Sequence, residues 1–320
     1  MASTQSYPLL CLENPLLDIQ GEGSHEMIEK YGMKLNDTVL AEPHQLGLYD
    51  DLINNHNAKL IAGGGAQNTA RGAQYMLPEK SVWYVGCVGD DEYANILREA
   101  CKKEDLAAAN EYKLEHLKQP HIWSMVEASK VYYVGGYHLT VCVPAAMALA
   151  EHAAANNKPF MLGLAAGFIP QFFKDQLAQI LPYCDYLFGN ENEAQTWATT
   201  NGHAADTSIP EIAKLLANVE KVNKQRPRTV IITQGTNPTI VAVTGENEVR
   251  SYPVLAIDNN LICDTTGAGD AYAAGFVAGV VSGDDIETSV KKGQWLAKLS
   301  IQELGPSYPF PKKTYGEDEQ

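Results

Sequence analysis

Asp264-Thr265-Thr266-Gly267-Ala268-Gly269-Asp270 runs directly into the small, apolar stretch Ala271–Val281. This spacing predicts a glycine turn that opens a helix, with a carboxylate on the first turn. A helix N-terminus presents unpaired N–H groups and about half a positive charge, which suits a phosphate. Gly267 and Gly269 lack Cβ atoms, so a large anion can come within hydrogen-bonding distance of the backbone. A carboxylate where anions bind makes electrostatic sense if it takes a proton from an attacking hydroxyl. The plain alternative is a helix-favouring acid in a first turn.

Further segments put polar or glycine residues where strands end, the place where ligands bind in open α/β sheets. Asn14-Pro15-Leu16-Leu17-Asp18 follows the opening strand. Asp18 can accept two hydrogen bonds from a ribose diol, or it is a solvated turn acid. Gly63-Gly64-Gly65-Ala66-Gln67-Asn68 leads from a strand into a helix and permits close backbone approach, but it is neither G-x-G-x-x-G nor a Walker A loop. In Asn190-Glu191-Asn192-Glu193, Glu193 can orient magnesium-bound water or can simply cap a helix. Thr233-Gln234-Gly235 can contact a nucleotide phosphate or be only a turn.

The elements that must position these groups alternate along the chain. Leu60–Ala62, Val82–Val85, Val131–Val134, Phe160–Leu164, Tyr186–Phe188 and Val230–Thr233 read as buried strands. Helical patterns occupy about 66–77, 92–103, 144–156, 170–180 and 209–219. The alternation predicts an α/β fold: a doubly wound, mostly parallel sheet with helices on both faces. Thr239–Val243 and Glu248–Tyr252 read as an antiparallel edge hairpin, followed by helices at about 268–281 and 285–303. Without a repeat or a low-complexity linker, residues 1–320 are expected to form a single domain.

Composition narrows the function. The chain has 320 residues, 45% hydrophobic and 20% charged, ordinary for a globular enzyme. A net charge of −15 with no Lys/Arg cluster argues against nucleic acid. A small polyanion such as ATP remains compatible, held by local N–H groups and Mg²⁺. Apolar runs stay short of membrane-spanning length, and Met1–Pro8 has neither a basic nor an apolar leader character. The six cysteines show no C-x-x-C pair, which fits reduced thiols better than disulfides or zinc. A cytoplasmic protein is expected, with a nuclear pool left open.

Together, Val85-Gly86-x-Val88-Gly89-Asp90-Asp91, the glycine loop at 63–65, Asn190-x-x-Glu193 and Asp264–Asp270 resemble the ribokinase-like (PfkB-type) carbohydrate kinases. Asn14–Asp18, Ala62–Gly72, Gly136–Val141, Asn190–Ala194, Thr233–Gly235 and Gly293–Pro309 narrow the resemblance to the adenosine kinases of fungal type, over nearly the whole chain. The resemblance implies transfer of the ATP γ-phosphoryl group to the adenosine 5′-hydroxyl, with Mg²⁺ and with adenosine and ATP as partners. It implies Asp270 as catalytic base and Gly267, Ala268 and Gly269 as an anion hole. Asn14, Asp18, Gly64 and Asn68 fall on the nucleoside side, most of them toward the ribose. Asn190 and Glu193 match the motif that positions Mg²⁺ and phosphate, and Thr233 and Gly235 lie on the nucleotide side with Gly267. Leu16, Tyr137, Leu139 and Phe168 are candidates for the walls around adenine, with plain core packing as an equal alternative. A small β lid, with remaining elements around 12–40 and 105–130, is expected to close over the nucleoside. A monomer is expected, a dimer being left open.

The chain departs from that pattern in places. Cys101–Leu106 passes directly into Ala107–Asn110, as if at least two lid strands and a basic residue had been excised. The family's N-L-S-A-P-F pattern is Gly163-Leu164-Ala165-Ala166-Gly167-Phe168, Glu13 stands where G-N-P-L-L-D begins with glycine, and the acidic lid segment has become Gly21-Glu22-Gly23-Ser24. Weakened nucleoside binding, impaired closure and leakage of ATP to water are the expected consequences. Another sugar or nucleoside acceptor, or an impaired nucleotide-binding variant, are the alternatives.

Overall fold

The computed structural model describes residues 7–33, 41–86, 88, 92–103, 107–109 and 113–316. Part of the expected motif at 85–91, part of the expected join at 101–110 and part of the expected lid spans 12–40 and 105–130 therefore lie outside the described residues. The runs Leu9–Leu12 and Val82–Val85 are apolar at every position, which suits strands covered on both faces. They lie inside a nine-stranded sheet. Its order is β11 (Arg250–Tyr252), β10 (Asn237–Val243), β9 (Thr229–Gln234), β8 (Tyr186–Asn190), β7 (Phe160–Gly163), β6 (Val131–Gly135), β1 (Leu9–Leu12), β4 (Val82–Val85) and β5 (Ala107–Ala109). Neighbours from β9 to β5 are parallel, and β10 is antiparallel to both β9 and β11. The expected doubly wound architecture is thus observed, and the expected hairpin extends it at one edge.

Alternation along the central strands feeds two cores. Leu10, Leu12, Trp83, Val85, Tyr132 and Val134 face one core, and Leu9, Cys11, Val82, Tyr84, Val131 and Tyr133 face the other. The first core is covered by α6 (Pro120–Ala128), α7 (Val143–Ala155), α8 (Phe168–Phe172), α9 (Lys174–Ile180), α10 (Glu191–Thr200) and α11 (Ile209–Ala217). The second is covered by α3 (Gly65–Met76), α12 (Ala268–Ser282) and α13 (Ile286–Ser300). α12 and α13 meet backbone to backbone: a Cβ on Gly275 would lie 2.4 Å from the Lys292 carbonyl oxygen.

Two expectations need adjustment. The strand read at 60–62 is β3 (Lys59–Gly63), which lies outside the main sheet and pairs antiparallel with β2 (Leu16–Gln20). With α2 (Gly47–Asn55) against β2 and α4 (Glu92–Lys103) against β3, Leu60 and Ile61 stay partly exposed. The helix read at 170–180 is two, α8 and α9, because Phe173 leaves helical dihedrals (φ −115°, ψ 34°). The remaining helices are α1 (His25–Lys30) and α5 (Leu114–Leu117). Among the described residues, no helix is long and apolar enough to cross a membrane.

Candidate active site

In the strand order β7-β6-β1-β4 the chain reverses its winding between β1 and β6, and a crevice opens beyond the carboxyl ends of these strands. Asp270 reaches this crevice from the first turn of α12. Gly267, the N-cap of that helix, has the left-handed φ of 77° that a side chain disfavours, and a Cβ there would lie 2.7 Å from Pro306 Cβ. A Cβ on Gly269 would meet nothing within 4 Å, so the turn faces open space on its ligand side. Gly267 and Gly269 thus present backbone N–H groups at the N-terminus of a 15-residue helix, while the Ala268 N–H donates to the Thr265 carbonyl (3.2 Å).

The Asp270 carboxylate accepts a 2.9 Å hydrogen bond from Asn68 Nδ2. Its pKa is pushed up to about 7, chiefly by burial and further by the Asp18 charge, while the Asn68 bond works the other way. A carboxyl poised near neutral pH can accept a proton and release it again. Asn68 comes from α3, whose N-cap Gly64 has φ 99° and lies so close to β2 that a Cβ would sit 3.0 Å from Leu16 N. Asn14 Oδ1 and Asn68 Oδ1 are buried without hydrogen-bond partners, as groups waiting for a polar ligand would be.

Asp18 stands on β2, its carboxylate packed against Gly63, where a Cβ would fall 2.2 Å from Oδ2. Burial raises its pKa and the Arg71 charge lowers it. The end of β2 also approaches the segment that follows α13. The Gln20 amide lies against Gly305, whose N–H donates to Asp264 Oδ2 at 3.0 Å.

On the far side of the crevice, Asn190 ends β8 and caps α10. Its Oδ1 accepts from Glu193 N (2.9 Å), while its own N and Nδ2 donate to the Glu193 carboxylate (2.9 and 3.0 Å). The capping alternative and the functional one therefore share the same bonds. Glu193 is buried, which raises its pKa to about 7, with the Asp270 charge adding to the rise. Thr233 closes β9, its hydroxyl 3.5 Å from the Gly189 carbonyl, and Gly235 follows in open space with φ 58°.

Of the four candidate wall residues, Tyr137 and Phe168 form a tilted ring pair 5.8 Å apart, and Leu16 is half-exposed at the mouth. Leu139 is buried inside the first core, which is the packing alternative. Beside them Ala165 holds φ 69°, a left-handed conformation that costs an L-residue about 1 kcal/mol.

The sequence profile of the pfkB family carbohydrate kinases matches residues 25–108 and 104–313. The chain belongs to the pfkB family. Within it, the adenosine kinase of Schizosaccharomyces pombe is 42% identical, over 97% of this chain and 98% of the relative. Two solved adenosine kinases have the same fold. That of Anopheles gambiae, in complex with P1,P4-di(adenosine-5) tetraphosphate, is 34% identical with a TM-score of 0.90, covering 95% of this chain and 99% of that one. That of Schistosoma mansoni, in complex with adenosine and AMP, is 30% identical with a TM-score of 0.89, covering 95% and 98%.

The family match breaks into two at 104–108, where the sequence looks excised. The alignment with the Schizosaccharomyces pombe relative has 342 positions, yet 97% of 320 residues fills about 310 of them, so about thirty positions fall opposite gaps in this pfkB chain. Three polar groups near Asp270 escape a reading by motif. The Thr69 hydroxyl donates to the Gly65 carbonyl (2.9 Å). Tyr133 is buried with the Thr69 hydroxyl bonded to its phenol. Glu13, visible in sequence only as a misfit for glycine, is completely buried.

Proposed function

We propose that the protein is an adenosine kinase, transferring the γ-phosphoryl group of ATP to the 5′-hydroxyl of adenosine to give AMP and ADP. The observation that carries this is the Asp270 carboxyl on the first turn of α12, held by Asn68 and directly beside the open Gly267–Gly269 turn. Asp270 takes the hydroxyl proton as the oxygen attacks. The turn's N–H groups receive the charge that develops on the transferred phosphoryl. Asn14, Asp18, Gly64 and Asn68 hold the ribose, their unpartnered buried amide oxygens finding donors in its hydroxyls. Tyr137 and Phe168 cover the base. Thr233 and Gly235 contact the nucleotide on the opposite side. A relative that accommodates two adenosines joined by four phosphates supports this arrangement of two nucleoside sites flanking one phosphate path.

Among the described residues no three carboxylate, histidine or cysteine side chains cluster as direct metal ligands. Asn190 and Glu193 therefore fit a magnesium ion held through water. When bound with ATP, that ion neutralises phosphate charge and orients the phosphates. The remaining lid is the β2–β3 sheet with α1 and α2, and it closes the nucleoside side.

An assay of AMP formation from adenosine, ATP and Mg²⁺ tests the reading, with Asp270→Asn expected to abolish turnover. Full activity in that variant rejects Asp270 as the base, and a panel in which another sugar or nucleoside is preferred rejects adenosine as the acceptor. The half-exposed two-stranded sheet favours a second property: hydrolysis of ATP without adenosine, because water is poorly excluded.

A further inference from the structure

Glu13 follows β1 at the point where the sheet's winding reverses, and its position is fixed on every side. Its N–H donates to the Val85 carbonyl (3.1 Å), and its carbonyl accepts from Tyr84 Oη (2.7 Å). The side chain has no exposed surface. It fills the space left by a glycine on the neighbouring strand: a Cβ on Gly135 would lie 1.9 Å from Glu13 Oε1.

The other oxygen does work on α3. Gly64, the N-cap of α3, has no side chain with which to cap it. Glu13 Oε2 supplies the missing acceptor from another strand, receiving the Ala66 N–H at 2.7 Å. Asn68, two residues further along the same helical turn, is the group that holds Asp270. The two carboxyls also share one small space, since a Cβ on Gly65 would lie 3.4 Å from both Asp270 Oδ1 and Glu13 Oε2.

We propose that Glu13 is a positioning residue for phosphoryl transfer: it caps α3 from the adjoining strand, so holding Asn68 against Asp270, and its charge is coupled to that of Asp270 across Gly65. This rests on the kinase reading given above. The titratable groups that act on Glu13 or feel its charge are Cys11 on β1, Tyr133 on β6, Tyr137 in the turn after β6, and Asp270 on α12, while the backbone N–H groups of Tyr137 and His138 act to lower its pKa. Burial keeps His138 neutral, lowering its pKa to about 4, so none of these groups offers Glu13 a positive charge. Burial raises the Glu13 pKa to about 8, the Asp270 charge adding to the rise, whereas Asp270 itself ionises near 7. When Glu13 ionises in turn, a second negative charge stands beside the path of an anionic phosphoryl group.

The test compares the parent with Glu13→Gln, Glu13→Ala, Asp270→Asn and the Glu13→Gln/Asp270→Asn pair, by kcat and by thermal melting across pH. Gln keeps the acceptor for Ala66 N–H but cannot ionise. The parent kcat should fall above about pH 8, and Glu13→Gln should remove that fall. At pH 9, one unit above the Glu13 value, only about a tenth of the parent stays neutral, so the Gln variant should retain about tenfold more of its maximal kcat. Glu13→Ala should lower kcat at every pH, and Gln should restore it with KM for adenosine unchanged.

The melting profiles do not depend on turnover. A folded-state pKa raised to about 8 means that stability is lost as pH climbs from the ordinary carboxyl range through 8. The advantage of Glu13→Gln over the parent should grow across that window and then level. In the Asp270→Asn background the window should close at lower pH. A parent kcat that stays flat above pH 8, or a melting window that ignores Asp270, overturns the inference. A parent that forms no AMP at any pH overturns the kinase reading instead, and the melting comparison still decides the coupling. Should Glu13→Gln fail to fold, the parent's alkaline limb and the pH profile of Asp270→Asn decide it.

Discussion

Replacing Asn68 by alanine removes the hydrogen bond that opposes burial at Asp270, so the base should become harder to ionise. Three causes set the Asp270 pKa near 7: burial raises it most, the Asn68 Nδ2 bond at 2.9 Å lowers it, and the Asp18 charge raises it. A hydrogen bond to an ionised group is worth about 1.5–3 kcal/mol, which corresponds to about one to two pKa units. The acid limb of kcat should therefore move from about 7 to between about 8 and 9. At pH 7 the ionised fraction would drop from about a half to between about a tenth and a hundredth, a loss of about 5- to 50-fold in kcat. Activity should recover as the pH rises, up to the limit set by ionisation of Glu13. Asn68 Oδ1 is itself unpartnered and faces the ribose site, so KM for adenosine should rise as well. For that reason the measurement is kcat at saturating adenosine, followed by ADP release over the whole pH range in which the protein stays folded. A kcat reduced by the same factor at every pH would refute the reasoning, because Asn68 would then not be setting the charge state of Asp270.

Asp270→Asn should abolish turnover yet stabilise the fold. The raised folded-state pKa means that the parent loses stability as pH climbs from about 4 through 7, so the variant should gain on the order of 2 kcal/mol at pH 8, about half the full linkage for a half-buried side chain, and nothing near pH 4; equal urea midpoints at pH 8 would contradict this. Gly275→Ala should cost about 1–3 kcal/mol, since the new Cβ meets the Lys292 carbonyl at 2.4 Å and α12 must move from α13; an unshifted melting temperature would show that the helices yield freely. Arg228 is fully buried and its guanidinium donates to the carbonyls of Leu181, Cys184, Leu216, Val219 and Glu220. Arg228→Met removes the guanidinium from all five, leaving only the Leu181 and Leu216 carbonyls with a backbone N–H partner, and should lower stability by about 3–5 kcal/mol in denaturant titration, with kcat of the folded fraction retained. Insertion of about thirty residues of a relative's lid at 104–106 should suppress ATP hydrolysis in the absence of adenosine and lower KM for adenosine, and an unchanged ratio of hydrolysis to transfer would argue that the β2–β3 sheet closes adequately alone.

The parts of this molecule that the sequence makes legible are those built by local rules. Apolar runs of four to five residues separated by helical patterns specify a parallel sheet. Gly267–Asp270 specifies a helix N-terminus with a glycine cap and an acid in its first turn. Asn190 and Glu193 specify a capping box whether or not they also serve a metal. What stayed hidden depends on distance in sequence. The membership of β3 in a separate sheet is decided by its pairing with β2, about forty residues earlier in the chain, and by α2 and α4, and nothing within Leu60–Ala62 records it. Leu139 looks the same as Tyr137 in a motif, but the turn that carries both buries Leu139 within the first core and leaves Tyr137 packed against that core only partly covered. Glu13 is the sharpest case. As a residue type it is only an acid in an apolar setting, and its role appears when Gly135, Gly64 and Ala66 are brought around it from two other elements.

The two sides of the crevice are built to different standards, and this bears on how catalysis should be divided between them. The phosphoryl side rests on β1, α3 and α12, whose polar groups are tied across elements: Glu13 to Ala66, Asn68 to Asp270, Gly305 to Asp264. The nucleoside side rests on β2 and β3, two strands whose leucines and isoleucines are half-covered. A two-stranded sheet is marginal in water without further strands or a packed helix, so its closed position must be stabilised largely by the nucleoside itself. The cost falls on KM and on exclusion of water, while the charge state of Asp270, set by Asn68 and Glu13 on the rigid side, is left intact.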